Sequence, residues 1–276
     1  MPIFGPTPAP PPVTRQRLKE IAALARRKGR EASGEFLVEG VRSVEAAVGA
    51  GAPLADVLVA PGAAADPRVA AVLERAGHRG APVHYVPARD LDRVGDARTS
   101  QGLLAVARSV VRDALPEGTE GPVLLLDGVQ DPGNVGALVR TAAWFGVEAV
   151  VADHKTADFE GPKAVRASMG GLWDVALVRV PDLVPVLDEL DRGGYAVWGA
   201  HLGGTSASRW APGRRSALVL GSEAHGLSEA VADRLRAASA GDPFVFIPGA
   251  ERGRPAGVES LNVAVAAGVL LGRWLG

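Results

Sequence analysis

The sequence predicts an α/β protein in two parts, a small N-terminal α/β domain followed by a larger α/β domain whose sheet is mostly parallel. Three observations carry this. Short β-rich runs alternate with helical patterns from residue 36 onward. The runs of the second half are near-continuously apolar, as strands covered on both faces are. Residues 109–121, polar and closing on Gly121 just before Pro122, interrupt the series and read as a linker.

Residues 1–12 contain six prolines and no apolar periodicity, so a disordered or polyproline-like tail is expected there. The first domain, residues 13–108, opens on the basic helical stretch RQRLKEIAALARRKGR. Strand FLVEG and helix VRSVEAAVGAG follow, then strand ADVLVA and helix DPRVAAVLERAG, strand VHYV and helix ARDLDRVG, and last strand GLLAVAR. The second domain, residues 122–276, begins with strand VLLLDG and helix NVGALVRTAAWFG, strand AVVAD and helix GPKAVRASMGG. It continues with strand VALVRV, helix PDLVPVLDELDRGG, strands YAVWGA and ALVLGS, helix SEAVADRLRAA, strand FVFIP and helix ESLNVAVAAGVLLGRWL. No internal repeat is visible.

Composition narrows the function classes. At 276 residues with 47% hydrophobic and 22% charged residues, the chain can bury a sizeable core. The absence of cysteine excludes disulfides, thiolate metal sites and a Cys nucleophile, and the five histidines are too scattered for metal-ligand spacing, so no metal is expected. The start MPIFGPTPAPPP lacks the basic-then-apolar pattern of a secretory signal, and no apolar run reaches the ~18 residues of a membrane span. A cytoplasmic protein is expected. The net charge of −1 is uneven: residues 14–30 carry seven cations against Glu20 alone, a local +6 that leaves −7 elsewhere. On a helix such a stretch offers a compact patch to phosphates, although the same charges also suit a solvated face.

In an open parallel sheet, ligands bind beyond the carboxyl ends of the strands. Three glycine-bearing loops lie there: VQDPGNVGALVR after VLLLDG, SEAHGLS after ALVLG, and GAERGRPAGVESLNVAVA after FVFIP. Neither a dinucleotide GxGxxG nor a P-loop follows a strand, and no GxSxG elbow is present. The only asparagines of the chain, Asn134 and Asn262, sit at strand-to-helix junctions, where a capping role is also open to them.

Taken together, the three loops resemble the signature motifs of the SpoU (TrmH) family of RNA ribose 2′-O-methyltransferases, within the SPOUT superfamily. The matching segments are DGVQDPGNVGALVRTA, LVLGSEAHGLS, and FIP followed by ESLNVAVAAGVLL, with KAVRASMGGLW between the first two. FLVEGVRSVEAA is further similar to the substrate-binding domain of ribosomal-RNA members, itself like an RNA-binding ribosomal-protein fold. The resemblance implies a C-terminal trefoil knot, a homodimer, S-adenosyl-L-methionine as methyl donor without a metal, and RNA as partner. Ribosomal RNA, 23S in particular, is favoured by the N-terminal domain. Transfer RNA as target, a non-catalytic RNA-binding or assembly factor, and a nucleotide-binding enzyme of small molecules are the competing readings.

By the same resemblance Asn134, Arg140, Glu223, Ser260 and Asn262 form the catalytic set, and Gly221, Ile247, Leu261 and Ala200 hold the cofactor. Arg140 stands six residues after Asn134, close to two helical turns, so both can project toward one edge. A guanidinium is a reluctant base and suits phosphate binding or alkoxide stabilisation better. Glu223 can orient Asn134 or Arg140 or accept from the ribose. Ser260 is a natural N-cap for the last helix, from which Asn262 then points elsewhere. His225 stays outside the set, because the family treats its position as variable. The third motif departs from the family in a longer link, residues 249–258, which reads either as an RNA phosphate contact through Arg252 and Arg254, as a mobile lid, or as a tolerated surface insertion.

Overall fold

A computed structural model describes residues 12–95, 101–249 and 260–276. The expected tail, apart from Pro12, and Arg252 and Arg254 lie outside the described residues. The chain divides into two compact units, one running through Ser109 and including Glu160–Pro162, the other made of Val110–Phe159 and Lys163–Gly276.

The first unit contains α1 (Arg15–Ala23), α2 (Arg27–Ser33), β1 (Glu35–Glu39), α3 (Val41–Ala50), β2 (Leu54–Val59), α4 (Pro61–Ala64), α5 (Pro67–His78), β3 (Val83–Tyr85), α6 (Ala88–Val94) and β4 (Leu103–Arg108). Its sheet has the order β1-β4-β2-β3, with β4 antiparallel to both neighbours and β2 parallel to β3. Ile21 and Leu24 meet Leu37, Leu58, Leu91 and Leu104 in one buried cluster. α5 buries Val69, Val72, Leu73 and Ala76, the i, i+3, i+4, i+7 stripe of a helix lying on a core.

The basic stretch is not one continuous patch. It breaks between α1 and α2, and two of its seven cations are structural. Arg17 donates from Nε and Nη2 to Asp56 Oδ2 at 3.0 and 2.7 Å, while His84 Nε2 meets Asp56 Oδ1 at 3.0 Å. Arg30 is buried and donates to the carbonyls of Leu24 (2.8 Å) and Ala25 (3.2 Å), closing the break. Arg15, Lys19, Arg26, Arg27 and Lys28 remain exposed. Truncating Arg30 strands carbonyls that burial hides from water, so Arg30→Ala is expected to cost about 2 kcal/mol. Urea unfolding of the full chain checks this, read on the transition of the first unit.

The second unit contains β5 (Val123–Asp127), α7 (Pro132–Trp144), β6 (Ala149–Ala152), α8 (Pro162–Ser168), a 3-10 turn (Gly171–Trp173), β7 (Ala176–Arg179), α9 (Val184–Arg192), β8 (Ala196–Ser206), β9 (Ser216–Gly221), α10 (Glu229–Ala238), β10 (Phe244–Phe246) and α11 (Val263–Leu275). Six parallel strands run in the order β10-β8-β9-β5-β6-β7. The expected linker is tied down within this unit, because Arg112 pairs alongside β7 through Arg112 N to Leu177 O and Arg179 N to Arg112 O, both 2.9 Å.

β8 outruns the expected YAVWGA. It pairs with β9 through Gly199, loops out over residues 200–204, and rejoins β10 at Thr205 and Ser206. Gly204, at φ 115°, passes so close to Phe244 that a Cβ there would lie 2.5 Å from its carbonyl oxygen. One sheet face packs on α9 and α10 through Val186, Leu187, Leu190, Val231 and Leu235. α7 and α11 lie side by side and run in the same direction. Asn134 and Asn262 join at their amino ends, and a Cβ on Gly272 would sit 3.4 Å from the Phe145 ring at their carboxyl ends. Trp210, edge-to-face with Trp198 at 6.0 Å and tilted against Trp274 at 5.9 Å, anchors the end of α11.

The chain leaves β5 toward β6 and β7 but leaves β9 toward β10, on the opposite side. The carboxyl ends of β5 and β9, where Asp127 pairs with Gly221, therefore form the topological switch point of this sheet.

Candidate active site

The switch point is built by three loops that hold one another. After β5, Asp131 caps α7: its Oδ1 accepts from Asn134 N at 2.9 Å, and Pro132 supplies the first helical residue without wasting a donor. Lys163 Nζ, from α8, donates to Asp131 Oδ2 at 2.7 Å. The lysine bond, then the Asn134 amide, hold the Asp131 carboxyl below its ordinary range against a small opposing effect of burial. α7 lies close on its neighbours where it has no side chain. A Cβ on Gly136 would lie 2.3 Å from Ala164 O, and one on Gly171 would lie 3.0 Å from the Arg140 Cα.

After β9 the chain folds back at once. Ser222 and Gly226 exchange two backbone hydrogen bonds of 2.9 Å, Gly226 adopts φ 69°, and Ser222 Oγ accepts from His225 N at 3.1 Å. Asp127, buried at the end of β5, accepts from Ser228 N at 2.6 Å and ties this loop across the strand edge. Gly221 faces the backbone of the turn, so closely that a Cβ would lie 2.1 Å from the carbonyl carbon of Gly226. The loop thereby presents Glu223 to α7.

Asn134 Nδ2 donates to Glu223 Oε1 at 2.5 Å, and Asn262 Nδ2 donates to Asn134 Oδ1 at 3.1 Å. Asn262 Oδ1 in turn accepts from Ala264 N (2.9 Å) and Val265 N (3.3 Å). A polarised chain therefore runs from the free amides of α11 through two asparagines to one carboxylate. Every donor along it points toward Glu223, and the amino ends of both helices favour negative charge there.

Of the expected residues, Asn134, Glu223 and Asn262 meet directly. Three details differ from the sequence reading. The cap of α11 is Asn262, not Ser260, because the helix starts at Val263 and only Asn262 reaches its first amides. Asn134 is not a cap, since α7 begins two residues earlier at Pro132 behind Asp131. Arg140 does not share an edge with Asn134: six residues carry it ~9 Å along the axis and about 120° around it. It is exposed and bonds to no described residue. Ser260 and Leu261 are exposed just before α11, whereas Ala200, Gly221 and Ile247 are half-buried at the ends of strand segments in β8, β9 and β10. His225 is exposed, turned into the loop by its backbone alone.

Sequence reasoning missed Asp127, Asp131 and Lys163. The Asp-Pro pair at 131–132 is a helix-start signal that identifies the cap. Asp127 and Lys163 each open a matching segment, but the partner that gives each its role is visible only in the fold. Among the described residues no His, Asp and Glu side chains gather in the threes that hold a metal, and no helix is long and apolar enough to cross a membrane.

Comparisons with known proteins converge. Residues 121–272 match the model of the SpoU rRNA Methylase family, and residues 15–105 match the MRM3-like substrate binding domain. The chain is 31% identical over 260 residues to RlmP of Bacillus subtilis, a 23S rRNA guanosine 2′-O-methyltransferase, covering 93% of this chain and 94% of that one. It is 34% identical over 226 residues to the 23S rRNA guanosine 2′-O-methyltransferase RlmB of Xanthomonas campestris, covering 78% and 86%. Among solved structures, a TrmH-family protein from Porphyromonas gingivalis aligns with TM-score 0.78 at 34% identity over 95% of this chain and 98% of that one. AviRb from Streptomyces viridochromogenes, solved with AdoMet, aligns with TM-score 0.77 at 27% identity over 93% and 96%.

Proposed function

The chain belongs to the SpoU rRNA methylase family, and from that premise we propose that it methylates a ribose 2′-hydroxyl of 23S ribosomal RNA with S-adenosyl-L-methionine as donor. The observation that carries the reading is the bonded trio Asn134, Glu223 and Asn262. Its members come from segments 89 and 128 residues apart and converge at the switch point of the sheet. The strand ends beside the trio suit the donor: Ala200, Gly221 and Ile247 offer small or apolar surface and main-chain groups. Leu261 and Ser260, exposed ahead of α11, complete that cradle.

When bound, the donor supplies an electrophilic methyl on a sulfonium. This chain's own groups must then place the hydroxyl in line and manage its charge. Glu223 Oε1 is spent on Asn134, and Oε2 is left to accept from the ribose hydroxyl. Arg140, always protonated, binds the nucleotide's phosphate and stabilises negative charge developing on the ribose oxygen. Residues 13–108 select the RNA, with Arg15, Lys19, Arg26, Arg27 and Lys28 toward its phosphates. Residues 109–121 link, and residues 122–276 carry the chemistry, in the cytoplasm where ribosomal RNA matures.

The finer architecture follows the same family reading. The C-terminal segment passes through a loop of its own unit as a trefoil knot. In support, Arg273 donates to the carbonyls of Ala207 (3.3 Å) and Ser208 (3.1 Å), and Trp274 Nε1 to that of Gly213 (3.1 Å). The enzyme works as a homodimer through the outer faces of α7 and α11, where Trp144 is 84% exposed, Val265 53% and Val269 44%. An aromatic anchor at a dimer centre contributes ~2 kcal/mol or more, so Trp144→Asp should weaken association by at least about 30-fold. Sedimentation at micromolar concentration checks it; a wild-type monomer removes the dimer.

Methyl-labelled S-adenosylmethionine with unmodified total RNA, separated and digested to nucleosides, tests the whole reading. Label in a 2′-O-methylnucleoside of 23S RNA supports it. Label in transfer RNA reassigns the N-terminal unit, and absence of label with the donor still bound favours a non-catalytic factor.

A further inference from the structure

Lys163 opens the segment KAVRASMGGLW but has no role in the chemistry above, yet it is bonded to the residue that sets the start of α7. Its Nζ donates to Asp131 Oδ2 at 2.7 Å, while the other oxygen of that carboxylate accepts from Asn134 N at 2.9 Å. The lysine reaches Asp131 by lying across Gly133. A Cβ there would stand 2.8 Å from Asp131 Oδ1, 3.0 Å from Lys163 Cε and 3.4 Å from Nζ. The hydrogen-bond chain thus continues outward, from Glu223 and Asn262 through Asn134 to Asp131 and Lys163.

We propose that Lys163 is a positioning residue, which holds Asp131 in the rotamer that fixes the first turn of α7 and so sets Asn134 against Glu223. This rests on the methyltransferase reading of the site. An exposed ion pair adds little to stability. Its effect here is geometric, because Asp131 has two roles and the lysine selects the rotamer that serves both. Without the ammonium, Asp131 can still cap the helix through other rotamers. A rotamer that releases the Asn134 amide frees that turn, and its displacement by a fraction of an ångström lengthens the bond to Glu223.

The test compares Lys163→Met, Lys163→Arg, Asp131→Asn, the Lys163→Met/Asp131→Asn double variant and Gly133→Ala. Gly133→Ala displaces the same pair without removing a charge. Lys163→Met is expected to lower kcat about tenfold with the KM for RNA and the melting temperature nearly unchanged, since small misplacements cost rate more than binding. Lys163→Arg should recover most of the loss, and the double variant should be no slower than the slower single. Additive losses overturn the proposal, as does an unchanged kcat. A raised KM with a shallower salt dependence does so too, and would make Lys163 a direct phosphate contact.

Should the wild-type protein methylate no RNA, the activity reading fails separately, and a spectroscopic readout still decides the inference. The chain has two asparagines, and isotope-labelled asparagine gives one pair of side-chain amide signals for each. The Asn134 pair should move in Lys163→Met; two unmoved pairs refute the coupling.

Discussion

Arg140→Ala is expected to lower kcat/KM for RNA methylation by two to three orders of magnitude while leaving the fold intact. The two halves of this expectation rest on different observations. Arg140 is exposed and bonds to no described residue, so its removal breaks no internal interaction, and surface changes of this kind stay within about 0.5 kcal/mol. Its positive charge is nevertheless permanent, and in the proposed reading it binds the phosphate of the target nucleotide. Loss of one preorganised donor to a developing oxyanion costs about 10²–10³ in rate. Arg140→Lys keeps the charge but not the planar fork, and should recover only part of the activity. Methylation within tenfold of wild type in the alanine variant removes Arg140 from the chemistry.

Gly221→Ala carries the second large effect, and here structure and binding fail together. The added methyl would sit 2.1 Å from the Gly226 carbonyl carbon and 2.3 Å from Leu227 N, both backbone atoms that no rotamer change can move. The 222–226 turn must open, which breaks the paired bonds between Ser222 and Gly226 and withdraws Glu223 from Asn134. Affinity for S-adenosylmethionine should fall at least tenfold, with activity below detection. The unfolding free energy should fall by only about 1–3 kcal/mol, because overpacking is confined to one loop. Calorimetric titration with the donor decides it: wild-type affinity would mean that the turn relaxes without reaching the cradle.

The parallel sheet was legible from runs such as VLLLD and SALVLG, whose apolar residues admit no polar face. The meeting of Asn134 and Glu223 was foreshadowed by glycine-bearing loops after β5 and β9. The starts of helices were not read correctly, because Asp131 and Asn134, like Ser260 and Asn262, are all competent caps. Only the backbone shows which of them reaches the first free amides. The charge count of residues 14–30 misled for a related reason: a guanidinium inside the fold and one outside it look the same in a sequence, so Arg30 and Arg17 counted toward a surface that they do not join. The pairing of Asp131 with Lys163, 32 residues apart and from two helices, needed the packing of α7 on α8.

The trio also sets a chemical lifetime for the enzyme. Hydrolysis of the Asn134 amide would leave a carboxylate facing Glu223 where a donor had been, converting an attraction of 2.5 Å into a repulsion and silencing an otherwise folded protein. Spontaneous deamidation needs the next residue's backbone nitrogen to swing onto the side chain. After Asn134 that nitrogen belongs to Val135, crowded by a branched side chain and held to Asp131 O at 3.0 Å by the first turn of α7. A second valine follows Asn262. The helix that holds Asn134 against Glu223 therefore also protects it from ageing, and heat that frays this turn should erase activity irreversibly before it melts the sheet.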